Sequence, residues 1–398
     1  MSSLNPAILT WARTTAGLSL EEGARAIGLK DAYGLAGAEL LDVLERGENE
    51  PSRPLLVKMS KAYRRPLLVF YLAAPPKSGD RGQDFRTVPG AAPPLFDPDL
   101  DALLRDIKAR HSIVKSLQED LEAGPVPFIG SVSMDIPVEE LAERIVRNLN
   151  FGVEEFHQAR TIESAFFYLR SKIEEAGVFV LLAGNLGSHH TNIPADTFRG
   201  FAIADPVAPF ILVNDQDAKQ AWAFTALHEL VHLWLGTTGV SGGNADAKIE
   251  RFCNDVAGEI LLPSQNMDGL PAEMARSTLD KAIAHISEFA HSRNVSRGMA
   301  AYRAYRAGII SEAMWIRLSD HFKQEWIASK AKLSQKPKQT QGGPSYYVVR
   351  RHRIGAALLE LVSNSLRDGN ITYTKAGKVL GVKPMNVDLL LRSTAGVR

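Results

Sequence analysis

The chain has 398 residues, 45% of them hydrophobic, with a formal net charge of +1 and a single cysteine. That length suits two or three domains with real cores, and the near-neutral charge excludes a global attraction to nucleic acid, so any such contact is local. One cysteine excludes an internal disulfide; the lack of a signal-like segment and of any apolar run near the ~18 residues of a membrane span points to a reducing cytoplasm and no membrane partner.

Residues 1–75 predict short helices at Asn5 to Thr15, Leu18 to Leu29, Ala38 to Arg46 and Pro54 to Tyr63, separated by Gly17, by Gly34 and Gly37, and by Gly47 through Pro51. Trp11-Ala-Arg13, Gly17-Leu-Ser19, Ala24, Glu45-x-Gly47 and Pro51-Ser52 together resemble XRE-type helix-turn-helix domains. The resemblance implies that Ser19 caps the second helix and that Glu45-x-Gly47 marks the fourth. Base reading needs Arg, Lys, Asn or Gln at the start of the recognition helix, yet Lys30 to Glu39 is small, acidic and glycine-rich. DNA contact and a bundle used for protein contact both stand open.

From 76 to 136 a Pro- and Gly-rich linker carries Asp84-Phe85-Arg86, read as a docking contact, and leads into a long amphipathic helix from Asp97 to Glu122. A domain is expected over 137–329. It opens with helices at Pro137 to Asn148 and Ile162 to Ala176, followed by strands at Val178 to Leu182, Gly200 to Ala204 and Pro209 to Asn214. Such a sheet can hold an extended peptide backbone along one edge; which strand forms that edge is not legible.

Lys219 to Leu235 has neither Pro nor Gly and is stopped by Gly236, so a helix is predicted. It contains His228-Glu229-Leu-Val-His232. Four residues apart, the two histidines share one face and can converge on one ion. A catalytic zinc takes three protein ligands and leaves a position for water. Glu250, on a second predicted helix from Ala245 to Leu262, is the third candidate, and Asn254 on the same face can accept the other N–H of a ligating imidazole. Glu229 is left to accept a proton from water attacking a carbonyl. The bland alternatives are a hydrogen-bonded histidine pair or a structural zinc, though structural sites favour cysteine and only Cys253 is present.

Phe198-Arg-Gly200, Phe224-Thr-Ala-Leu-His-Glu-Leu-Val-His-Leu233 and Glu250-x-x-Cys-Asn-x-Val-Ala-x-x-Ile-Leu-Leu-Pro263 resemble the ImmA/IrrE family of zinc metallopeptidases. Cys253 stands where that family usually has Ala, and Val256 where it has Phe. The resemblance implies a minimal gluzincin-like domain with His228, His232 and Glu250 as metal ligands and Glu229 as base. It also implies a helix-turn-helix repressor as partner, cleaved or displaced. Zn2+ is the expected ion, with Mn2+ also suited to such ligands. His189, His190 and Arg199 stay outside the catalytic set; Arg199 is expected to fix its loop through a salt bridge.

Past Pro263, helices are predicted at Leu270 to His291 and Ser296 to Gly308, then a basic linker over 330–344. The C-terminal module, 345–398, shows Arg350, Arg351 and Arg353 before a helix from Ile354 to Leu366, and two further helices at Thr372 to Leu380 and Lys383 to Leu391. That spacing suits a helix-turn-helix with the arginines on phosphates and Lys383 and Asn386 toward bases. It equally suits helices that cover the preceding domain, the reading favoured here because helix pairs pack far more often than they read DNA. The fold expected overall is α+β and mostly helical. Two functions follow: a zinc-dependent endopeptidase cleaving a repressor or antitoxin-like protein in a stress, DNA-damage or phage response, or a DNA-binding regulator or antitoxin-like protein whose peptidase fold is a sensor or structural module.

Overall fold

The computed structural model describes residues 4–32, 34–76, 97–188, 191–238, 244–267, 269–271, 274, 276–335 and 345–392. Asp84-Phe85-Arg86 and His189-His190 lie outside the described residues, as does the 336–344 part of the expected basic linker. Helices dominate, joined by one three-stranded sheet, so the α+β expectation holds. No helix of the described residues is long and apolar enough to cross a membrane.

The chain divides into two units. The first contains α1 (Pro6–Thr14), α2 (Leu20–Ile27), α3 (Gly37–Glu45), α4 (Arg53–Ala62) and a 3-10 turn at Leu67–Tyr71, closed on Ile8, Leu9, Ile27, Leu41, Met59 and Phe70. A reciprocal cap starts α2: the Glu22 N–H donates to Ser19 Oγ at 3.2 Å and the Ser19 N–H to Glu22 Oε2 at 2.9 Å. Arg13 of α1 donates to both carboxylate oxygens of Glu45 at 2.7 and 2.8 Å, a buried fork that ties the first helix to the end of the third. Lys30 lies before α3, in a turn where Ala32 bridges Leu35, and the outer side of α3 offers Glu39 and half-buried Asp42 and Val43.

The following helix, α5 (Pro98–Asp120), groups with the first unit up to Ile107 and with the second from Lys108. The second unit continues with α6 (Val138–Leu149), α7 (Val153–His157), α8 (Ile162–Glu175), β1 (Phe179–Leu182), β2 (Gly200–Ile203) and β3 (Phe210–Val213). Then come α9 (Lys219–Trp234), α10 (Asn244–Leu261), α11 (Leu279–His291), α12 (Arg297–Arg306) and α13 (Glu312–Gln335). The strand order is β1-β3-β2, with β1 parallel and β2 antiparallel to β3, which leaves β2 on an edge. Helix α9 packs against β2 and β3 and is flanked by α8 and α10. From Trp222 to Trp234 only Phe224 of α9 is less than buried, so this helix is enclosed on nearly every side, as a central helix is.

Some boundaries differ from expectation for identifiable reasons. The helix expected from Leu270 begins at Leu279, after Pro271 and the Thr278 cap. Helix α13, which the apolar pattern did not flag, runs to Gln335 and takes up the start of the expected linker. In the C-terminal module the arginines sit in α14 (Tyr346–Ile354), separated from α15 (Ala356–Arg367) by Gly355 at φ 91°. Two further helices, α16 (Tyr373–Leu380) and α17 (Val387–Arg392), follow.

The three arginines are used internally. Arg350 donates to the Leu380 carbonyl at 2.8 and 3.0 Å, and Arg351 to those of Leu390 and Leu391 at 2.7 and 3.1 Å. Both satisfy the carbonyls that a helix end leaves open. Arg353 pairs with Asp215 at 2.6 Å. Helices α14 and α15 pack on β1 and α8, where buried Arg170 donates to the His352 carbonyl at 2.5 Å and to Val180, and Glu174 accepts the Ala356 N–H at 3.0 Å. The module therefore covers the β1 side of the sheet.

Candidate metal centre

His228 and His232, one turn apart on α9, are 0% and 4% exposed. Their Nε2 atoms approach to 3.1 Å. Glu250 of α10 meets them there, with Oε2 3.3 Å from His228 Nε2 and Oε1 3.2 Å from His232 Nε2. The Glu250 side chain keeps 24% of its surface exposed while the imidazoles keep 1% and 5%, so the cluster faces outward on the Glu250 side.

The far side of each ring decides its tautomer. His228 Nδ1 lies 3.0 Å from Asn254 Oδ1, an amide oxygen that only accepts, so the proton is on Nδ1. His232 Nδ1 lies 3.0 Å from Thr237 Oγ1, whose own hydroxyl donates to the His232 carbonyl at 3.2 Å. Thr237 therefore also accepts, and His232 too carries its proton on Nδ1. Both Nε2 atoms are thereby turned toward one another and toward the Glu250 carboxylate, three donor groups gathered at one point. This donor set fits a divalent ion of the zinc class, with the outer-shell oxygens that such sites use.

The local folding explains the placement. Gly236 ends α9 in the left-handed region at φ 67°, which turns the chain so that the Thr237 N–H reaches the His232 carbonyl at 3.0 Å and its hydroxyl reaches the ring. The segment around Gly130 holds that end: the Gly130 N–H donates to Leu233 at 2.9 Å, and a side chain on Gly236 would come within 2.8 Å of Gly130 Cα.

Glu229, 3% exposed, points to the sheet side of α9. A Cβ on Gly200 would lie 2.9 Å from Glu229 Oε1, 2.7 Å from Thr225 Cγ2 and 2.9 Å from the Leu212 carbonyl. The glycine of Phe198-Arg-Gly200 is thus what lets β2 run against the Glu229 carboxylate. Arg199 sits with Nε 3.8 Å from Asp217 Oδ2, and buried Asn214 secures the same segment, donating from Nδ2 to the Phe198 carbonyl at 2.9 Å and from its N–H to Arg199 at 2.8 Å. Thr237, Gly200 and Asn214 were missed as site-shaping residues. The glycine stop after His232 was the one signal that could have exposed Thr237.

Among the described residues, His228, His232 and Cys253 also form a buried group whose donor atoms lie within 4.8 Å of one another. Helix α9 with its histidine pair and acid, facing a second helix beside a small sheet, defines a metallopeptidase-like domain. Residues 176–305 match the family model of the IrrE N-terminal-like domain, Peptidase_M78. Over that segment the chain is similar to peptidases of the ImmA/IrrE type. No curated protein matches the chain.

Proposed function

We propose that the chain is a zinc-dependent endopeptidase that acts on an extended segment of a protein partner, a helix-turn-helix repressor or antitoxin-like protein, in a stress or mobile-element response. The observation that carries this reading is the convergence of donors: the Nε2 atoms of two imidazoles 3.1 Å apart, Glu250 oxygens 3.2 and 3.3 Å from them, each ring held at Nδ1 by an oxygen, and a buried acid next to them in sequence. His228, His232 and Glu250 would hold the ion, which when bound supplies Lewis acidity toward the peptide carbonyl and toward water. Asn254 and Thr237 keep the Nδ1 protons in place, and Glu229 takes a proton from the attacking water and returns it to the leaving amine.

The β2 edge supports an extended substrate. Because the Asn214 N–H bonds the Arg199 carbonyl, antiparallel alternation turns the N–H and C=O of Gly200 and Ala202 away from β3. The Ala204 N–H, next on that side, donates to Thr238 Oγ1 at 2.8 Å. Gly200 and Ala202 are buried in the structure, so a peptide adding to this edge, beside Glu229, must first displace what covers it. The arginines of the C-terminal module are spent on carbonyls and Asp215, and α3 turns acid and apolar groups outward, so a protein partner suits both helical modules better than DNA.

The test is incubation of the zinc-loaded chain with helix-turn-helix repressors encoded beside its gene, comparing wild type with Glu229→Gln. Cleavage by wild type alone is expected, with zinc binding retained in both. A repressor left intact by both, or cut equally by both, overturns the reading.

A further inference from the structure

Cys253 occupies the α10 turn between Glu250 and Asn254, both of which touch the imidazoles of α9. It is the chain's sole cysteine and is 0% exposed. Its Sγ belongs to the group with one ring nitrogen each of His228 and His232, all within 4.8 Å of one another. A cysteine packed merely as a small hydrophobe needs no such neighbours; this one has a ring nitrogen of each of two imidazoles close to its sulfur.

We propose that Cys253 is a thiolate ligand of the ion held at His228 and His232, filling in the resting centre the fourth position that water takes during turnover, and that it gives the centre a preference for thiophilic ions, Zn2+, Co2+ and Cd2+, over Mn2+. The inference rests on the metal-binding reading above. Bond lengths of about 2.3 Å to sulfur and 2.0–2.1 Å to nitrogen put sulfur and nitrogen about 3.6 Å apart around a tetrahedral ion. From 4.8 Å or less, the closure required is about 1.2 Å at most. On ligation the Sγ–H bond breaks, its proton passes to water and the electron pair forms the sulfur–metal bond. Nothing is oxidised or reduced. A thiolate is the softest donor in the cluster, and softness of the donor set, rather than geometry alone, separates zinc from manganese at a site of imidazole and carboxylate.

The experiment is titration of the full chain with Co2+ followed by optical spectroscopy. Wild type is expected to develop a sulfur-to-cobalt charge-transfer band in the near ultraviolet, in proportion to bound cobalt, together with the visible bands of tetrahedral cobalt. Cys253→Ala is expected to keep the visible bands and lose the near-ultraviolet one, and its zinc-over-manganese affinity ratio should fall by about tenfold or more. Should neither Cys253→Ala nor Cys253→Ser fold, X-ray absorption on the zinc-loaded wild type must show a sulfur scatterer at the zinc–sulfur distance. Visible cobalt bands without charge transfer, or zinc with nitrogen and oxygen neighbours only, overturn the thiolate and leave the His–His–Glu centre standing. Failure of wild type to bind cobalt or zinc at all overturns both.

Discussion

Gly200→Ala isolates the contact between the sheet edge and the acid of α9. The new methyl carbon would lie 2.7 Å from Thr225 Cγ2, 2.9 Å from Glu229 Oε1 and 2.9 Å from the Leu212 carbonyl oxygen. Non-bonded carbon contacts settle at about 3.5–4.0 Å, so these neighbours must give way by roughly 0.6–1 Å. Leu212 is fixed by its pairing with Phe201 in the β2–β3 ladder and cannot retreat. The shift therefore falls on β2 and on the Glu229 carboxylate. Overpacking of this kind costs about 1–3 kcal/mol, a fall in melting temperature of a few degrees to about 10 °C for a unit of this size. If Glu229 is the base proposed above, displacing it by about 1 Å costs about 100-fold in rate. Neither histidine nor Glu250 is among the atoms nearest the new methyl carbon, so zinc affinity should stay within a fewfold of wild type. Thermal unfolding, zinc titration and repressor cleavage read the three quantities separately. A Gly200→Ala chain with the parental melting temperature and cleavage rate would refute the close packing of β2 on Glu229.

Three further outcomes follow from contacts around the centre and the C-terminal module. Asn254→Ala and Thr237→Val each remove the oxygen that holds one imidazole by its Nδ1 proton, and each should weaken zinc binding by about 10–100-fold in a competitive chelator titration; unchanged affinity in both would mean that the tautomers are not set by these partners. Arg170→Met leaves the Glu174 carboxylate buried without its 3.1 Å guanidinium partner and should destabilise the second unit by about 3–5 kcal/mol in denaturant unfolding, whereas a loss under about 1 kcal/mol would show that α14 and α15 are held by apolar packing alone. Burial holds His111, His157 and His352 below the ordinary imidazole value of 6.5, with the Asp205 carboxylate opposing it at His111 and the Leu261 carbonyl at His157. The unfolded chain then binds more protons than the folded one at acid pH, so the stability these rings contribute is complete above pH 6.5 and declines as pH drops through their lowered values; a melting temperature that is flat or rising from pH 7 to 5 would contradict this.

What the sequence revealed depended on how far along the chain each contact reaches. His228 and His232 were legible because helical periodicity puts positions four apart on one face, and Glu250 and Asn254 share a face of α10 for the same reason. The docking of α10 on α9 that joins the two pairs is a tertiary fact that periodicity does not reach; the need for a third metal ligand pointed to it, and the family resemblance agreed. Thr237 is five residues from His232, yet its role depends on a left-handed Gly236 and on the close approach of Gly130 from over a hundred residues upstream. Charge was the least informative signal, since Arg350, Arg351 and Arg353 look like phosphate ligands until the helix ends they cap are in view. The constraints that shape the centre converge on α9: Gly200 on its sheet side, Asn254 on its α10 side, and Thr237 at its end. A helix held from three directions cannot rotate to separate its imidazoles, so the three donor groups are already gathered before any ion arrives. Binding then has less ordering to do, which adds to affinity, whereas a flexible site would have to be assembled around the ion.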